Sequence, residues 1–173
     1  SLCHYLGIDL TVIAENGGVV LADGTVSYQG DPERAADAVA AFEGRGGDLG
    51  WPAFDAVNEW RETEIAANVA ADLELLESVA GEFDLEVFDT GYAYHVKTPG
   101  VEKGVGLRAV ADTLGLDPGS FVAVGDSVND VSMFEVASRS FAVANADDDA
   151  RAAADTVLEG SYFDGTASVL DSL

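Results

Sequence analysis

The sequence predicts an α/β fold in which a parallel sheet layered with helices carries an inserted, smaller α+β module. Three observations lead there. Phe121-Val122-Ala123-Val124 is an unbroken apolar run that ends in Gly125-Asp126, as expected of a strand buried on both faces of a parallel sheet. From residue 98 onward helical and strand patterns alternate, which describes a β/α layer. Between residues 19 and 97 the order reads β-β-α-β-α-β-β, an antiparallel sheet with two helices.

Composition narrows the function classes. The chain has 173 residues, with 32 acidic against 8 basic, for a formal charge of −24. Nucleic acid and anionic membrane surfaces need basic patches, so neither is an expected partner. The acids are spread among apolar residues, which excludes a disordered acidic tail. Salt screens the self-repulsion of such a surface, and the composition points to a halophilic cytoplasm. Cys3 is the single cysteine; it excludes an internal disulfide and fits a reducing compartment. No apolar run reaches membrane-spanning length and no signal peptide is visible. Homo-oligomerisation is left open.

Taken in order, Ser1 to Gly7 reads as the last turns of a helix closed by a glycine. A chain that opens on the end of a helix is expected to have sequence before it. Thr11 to Ala14 is an apolar strand that runs into Glu15-Asn16-Gly17-Gly18. Val19–Ala22 and Thr25–Gln29 are joined by Asp23-Gly24, a hairpin signal. Asp31, Pro32 and Glu33 are an N-cap, a first-turn proline and an acid at the positive helix end, and the helix runs to about Phe42. Glycines from 44 to 50 form a loop. Asn58 to Thr63 is expected as a strand. Ile65, Val69, Leu73, Leu76 and Val79 recur at helical spacing, which predicts one amphipathic helix over about 64–80. Strands follow around Leu85–Val87 and Tyr92–Val96, with Gly91 between them.

Thr98-Pro99-Gly100 breaks the pattern and marks a domain boundary. Residues 1–18 and 98–173 are assigned to the core and 19–97 to the inserted module. The later half reads as a helix over 101–114, a strand over 121–125, a helix over about 129–137 and a short strand at Phe141-Ala142-Val143. A short helix between Asn145 and Ala154 and a last helix from about Thr166 complete a Rossmann-like layer.

The candidate chemistry sits at the end of the 121–125 strand, where ligands bind in such sheets. Asp126 and Asp130 are four residues apart on one loop, and two hard carboxylates there suit Mg²⁺. The plainer alternative makes Asp126 an N-cap and Asp130 an exposed helix residue. The only lysines are Lys97 and Lys103. Lys103 opens the helix before the Gly-Asp strand, where an ammonium can meet a phosphate or simply face solvent.

Lys103, Gly125-Asp126-Ser127 and Asn129-Asp130 resemble the third and fourth motifs of the haloacid dehalogenase superfamily of phosphatases. Leu6-Gly7-Ile8, Glu15-Asn16-Gly17-Gly18, Trp60-Arg61-Glu62 and Gly91-Tyr92-Ala93-Tyr94-His95 occur in the same order in its archaeal phosphoglycolate phosphatase group. The resemblance covers nearly the whole chain. It implies a partial core of that family with an inserted α+β cap, and a Mg²⁺-dependent hydrolase of a small phosphorylated metabolite, 2-phosphoglycolate first. A related sugar-phosphate phosphatase and a non-catalytic remnant are the alternatives. The implied roles are phosphoryl binding for Lys103, Mg²⁺ binding for Asp126 and Asp130, and loop orientation for Asn129. Arg61, in the cap, meets the substrate carboxylate or forms a surface ion pair.

One departure matters. The family nucleophile is the first Asp of an Asp-x-Asp-Gly-Thr motif. Leu21-Ala22-Asp23-Gly24-Thr25 and Tyr162-Phe163-Asp164-Gly165-Thr166 have Leu and Tyr at that place, and Asp9 precedes a different segment. Residues 1–173 alone are therefore expected to be inactive. His4 and His95 have no partners at zinc-ligand spacing, and Ser127 lacks the setting of a hydrolase triad.

Overall fold

The computed structural model describes residues 7–53 and 56–173. Three three-stranded sheets organise them. The first holds β1 (Val12–Ala14), β2 (Val19–Ala22) and β3 (Thr25–Tyr28), all antiparallel. Asp23 and Gly24 both have positive φ, 47° and 70°, the geometry a two-residue hairpin needs and that Asp-Gly tolerates. Helix α1 (Pro32–Gly44) starts as its sequence predicts, with the Asp31 carboxylate accepting from the N–H groups of Glu33 and Arg34.

The second sheet has the order β4 (Glu64–Asn68), β6 (Ala93–Lys97), β5 (Glu86–Asp89). Its register aligns Ile65, Val96 and Val87 across the strands. These face α1 and α2 (Leu73–Glu82) in a buried cluster with Phe42, Leu76 and Val79. Strand alternation puts Glu64, Lys97 and Glu86 on the opposite face, with His95 and Phe88. One face of the cap sheet is therefore apolar and closed by helices, and the other is polar.

The third sheet is parallel and runs β7 (Val122–Gly125), β8 (Arg139–Ala142), β9 (Thr156–Val157). Helix α3 (Lys103–Leu114) packs through Val110 on Val20 and Ala22 of the first sheet. A 3₁₀ turn (Val128–Asp130) leads into α4 (Val131–Phe134), and α5 (Asp148–Ala153) and α6 (Tyr162–Leu170) complete the layer. Among the described residues no helix is long and apolar enough to cross a membrane.

Several expectations are corrected. Residues 64–68 are a strand, and the helix begins only at Leu73, capped by Asp72. The alanines of β4 favour a helix locally, but pairing with β6 buries the strand from Glu64 to Ala67. Residues 58–63 are not a strand. Instead the Asn58 side chain donates to the Ala66 carbonyl and accepts from its N–H, both at 2.9 Å, which satisfies the free edge of β4. The hairpin of 19–28 pairs with β1 rather than with the cap strands, so the antiparallel segment forms two sheets instead of one. The last helix starts at Tyr162 rather than Thr166, and β9 was not anticipated. The helix end proposed for residues 1–6 lies outside the described residues.

Candidate active site

The polar face of the cap sheet and the 128–132 segment, which follows the loop after β7, border one cleft of about 470 Å³, and Asp126 is not among the residues that line it. Asn16, Lys103 and Asn129 line it from the core side, and Glu86, Phe88 and Lys97 from the cap. Lys103 and the Gly125–Asp130 loop meet as the spacing predicts. The Lys103 ammonium lies 2.5 Å from Asp130 Oδ1 and 3.1 Å from Asn129 Oδ1. Asp130 Oδ2 accepts from the backbone N–H groups of Asp126 at 2.9 Å and Ser127 at 3.2 Å. Gly125 makes this loop possible, because a Cβ there would lie 2.5 Å from the Asp130 side chain.

A polar chain runs from this loop into the cap. Asn129 Nδ2 donates to Asn16 Oδ1 at 3.1 Å, and Asn16 Nδ2 donates to Glu64 Oε2 at 2.8 Å. Glu64 Oε1 takes the Arg61 guanidinium and faces His95 Nδ1 at 3.0 Å. Glu64 is buried, and burial pushes its carboxyl up. The hydrogen bonds from His95 and Asn16, with the charges of His95 and Arg61, together outweigh that and hold it below its ordinary value. Glu15 makes a second link between β1 and the cap, accepting from the N–H groups of Glu62, Thr63 and Glu64 and from the Thr63 hydroxyl.

Residues 62–170 match the family model of haloacid dehalogenase-like hydrolases. A phosphoglycolate phosphatase of Halorubrum lacusprofundi is 58% identical over 175 residues, covering 100% of this chain and 77% of that protein. The chain belongs to the haloacid dehalogenase-like hydrolases. A phosphoglycolate phosphatase of Natronomonas pharaonis is 52% identical, covering 99% of this chain and 76% of its own length. The Thermoplasma acidophilum 0175 crystal structure superposes with a TM-score of 0.79 at 25% identity, over 99% of this chain and 75% of that one.

In this haloacid dehalogenase-like hydrolase the two loop aspartates differ. The Asp126 side chain is exposed and no hydrogen bond to it is found among the described residues. Asp130 is 4% exposed, and both of its oxygens are engaged by protein donors. Neither the N-cap role for Asp126 nor the exposed position for Asp130 describes them. Among the described residues no three His, Cys, Asp or Glu side chains converge as a metal cage. One free carboxylate at a sheet edge still suits Mg²⁺, which takes few protein ligands and keeps water and phosphate oxygens.

Arg61 is corrected. It does not line the cleft; its guanidinium pairs with Glu64 and its Nε donates to the Val57 carbonyl at 3.1 Å. A buried carboxylate three residues away outcompetes solvent for it. Asn16, Glu64 and Lys97 were not anticipated as site residues. Asn16 carried a signal, as a polar residue in the turn directly after β1; its φ is +50°, a conformation asparagine tolerates.

Proposed function

We propose that the chain forms the phosphate-binding side of a Mg²⁺-dependent phosphomonoester hydrolase that acts on 2-phosphoglycolate. The observation that carries this is the Lys103 ammonium, held by Asp130 and Asn129 at the border of the cleft. A fixed ammonium at a sheet edge binds a phosphoryl group and offsets its charge as it is transferred. The phosphoglycolate phosphatases it resembles support the substrate.

The family chemistry is attack by a carboxylate on phosphorus, formation of an acyl phosphate, and release of phosphate by water. Asp23 sits in a hairpin turn, Asp164 in α6, and Asp9 on an exposed segment. None suits the attacking group. The roles assigned to residues 1–173 are therefore binding, positioning and charge neutralisation. Lys103 binds the phosphoryl oxygens. Asp130 holds Lys103 and closes the loop, and Asn129 orients the ammonium. Asp126 would hold Mg²⁺, with Asp130 supporting the loop rather than the metal. When bound, the ion offsets negative charge on the phosphoryl oxygens.

The test is a phosphatase panel on the complete gene product in molar KCl, with and without Mg²⁺, covering 2-phosphoglycolate and sugar phosphates. Mg²⁺-dependent hydrolysis of 2-phosphoglycolate is expected, and Lys103→Ala should lower kcat/KM by about 10²-fold or more. Preference for a sugar phosphate would reassign the substrate. Binding of phosphate esters without turnover would identify a non-catalytic binder.

A further inference from the structure

The chain has two lysines, and the fold brings both to the same cleft. Lys103 stands at its core border. Lys97 belongs to the central strand of the cap sheet, on the polar face opposite the helices. Lys97 is 4% exposed. Its Nζ lies 2.5 Å from Glu86 Oε1, 2.9 Å from the Val101 carbonyl and 5.7 Å from the centroid of the Phe88 ring.

Burying an ammonium is costly unless anions and acceptors replace its water. The Val101 carbonyl is fixed, since it belongs to the backbone leading into α3. Glu86 is not, because 43% of its side chain is exposed, so it can turn to solvent without a desolvation cost. An incoming anion can then take its place on Nζ. Glu102, Glu135 and Asp149 also line the cleft and repel anions that no lysine receives. A ligand with two anionic ends is therefore favoured only if each end meets one of the two ammonium groups.

We propose that Lys97 is a specificity residue that receives the second anionic group of the substrate while Lys103 receives the phosphoryl group. The ligand class is a small phosphomonoester that also carries a carboxylate, and Glu86 occupies the carboxylate position in its absence. This rests on the phosphatase reading and deepens it.

The test separates the two by measuring binding without turnover. Calorimetry on the complete gene product in EDTA and molar KCl compares 2-phosphoglycolate with ethyl phosphate, which has a methyl group in place of the carboxylate. The wild type should prefer 2-phosphoglycolate by about tenfold or more in Kd, the range of a hydrogen bond between charged groups, and Lys97→Met should remove the preference. Glu86→Gln, which removes only the competitor, should tighten 2-phosphoglycolate more than ethyl phosphate. It covers the case of a Lys97→Met that does not fold. No preference in the wild type, or one unchanged in Lys97→Met, overturns the assignment; so does an unchanged preference in Glu86→Gln if Lys97→Met does not fold. Intact preference in a protein with no Mg²⁺-dependent turnover would refute the phosphatase reading and leave Lys97 in its role.

Discussion

Replacing Asp130 with alanine tests whether the loop after β7 depends on one carboxylate. The substitution removes the Lys103 contact at 2.5 Å and the acceptor for the N–H groups of Asp126 and Ser127 at 2.9 and 3.2 Å. Breaking a buried charged pair by deleting one partner costs about 3–5 kcal/mol. The Lys103 side chain is 29% exposed and regains water, which favours the lower end, about 3 kcal/mol. For a chain of this size that is a fall of roughly 6–12 °C in Tm. Asp130→Asn should fall between, because its single oxygen serves either the two N–H groups or Lys103, and its amide NH₂ then faces the remaining donor. Urea unfolding of the complete gene product in molar KCl is the assay. A loss below about 1 kcal/mol for Asp130→Ala, the size of one ordinary hydrogen bond, would refute the loop-closing role.

Asp126→Asn should leave stability within about 0.5 kcal/mol, since its side chain is exposed, and should abolish most Mg²⁺-dependent phosphatase activity; a destabilised variant or an active one would contradict the division of labour between the two aspartates. Glu64 gives a pH signature. Its carboxyl is held below its ordinary value of 4.5, so the stability it contributes is complete above that pH and is lost as pH falls through the folded-state pKa. The stability gap between wild type and Glu64→Gln, measured by denaturant unfolding, should therefore shrink from about pH 6 toward pH 3, and a gap that widens on acidification would show the opposite sign. With a formal charge of −24, Tm should rise with KCl as the Debye length falls from about 10 Å at 0.1 M to about 3 Å at 1 M; a flat or falling Tm would contradict the adaptation to high salt.

The sequence by itself determined those features whose chemistry is short-range. The apolar run into Gly125-Asp126 reads as a strand of the parallel sheet and is one, although among the described residues β7 lies at the sheet's edge with only Ala123 fully buried. Asp31 and Pro32 start α1 because the cap bonds lie two and three residues away. Asp23-Gly24 turns because both residues accept positive φ. Lys103 and Asp130 were legible together because they sit at fixed places on adjacent elements of a β/α layer. The tertiary structure decided the rest. Residues 64–68 carry a helical pattern locally, and only pairing with β6 made them a strand. That strand buries Glu64, whose partner Asn16 lies 48 residues earlier and whose partner His95 lies 31 residues later. Arg61 was drawn to Glu64 and away from the cleft by the same burial. Lys97 looks like any strand-end lysine until the sheet register sets it beside Glu86 and the fold carries that face to Lys103. A buried charge takes whatever partner the closed chain brings within reach, and which partners those are depends on contacts between residues far apart in sequence.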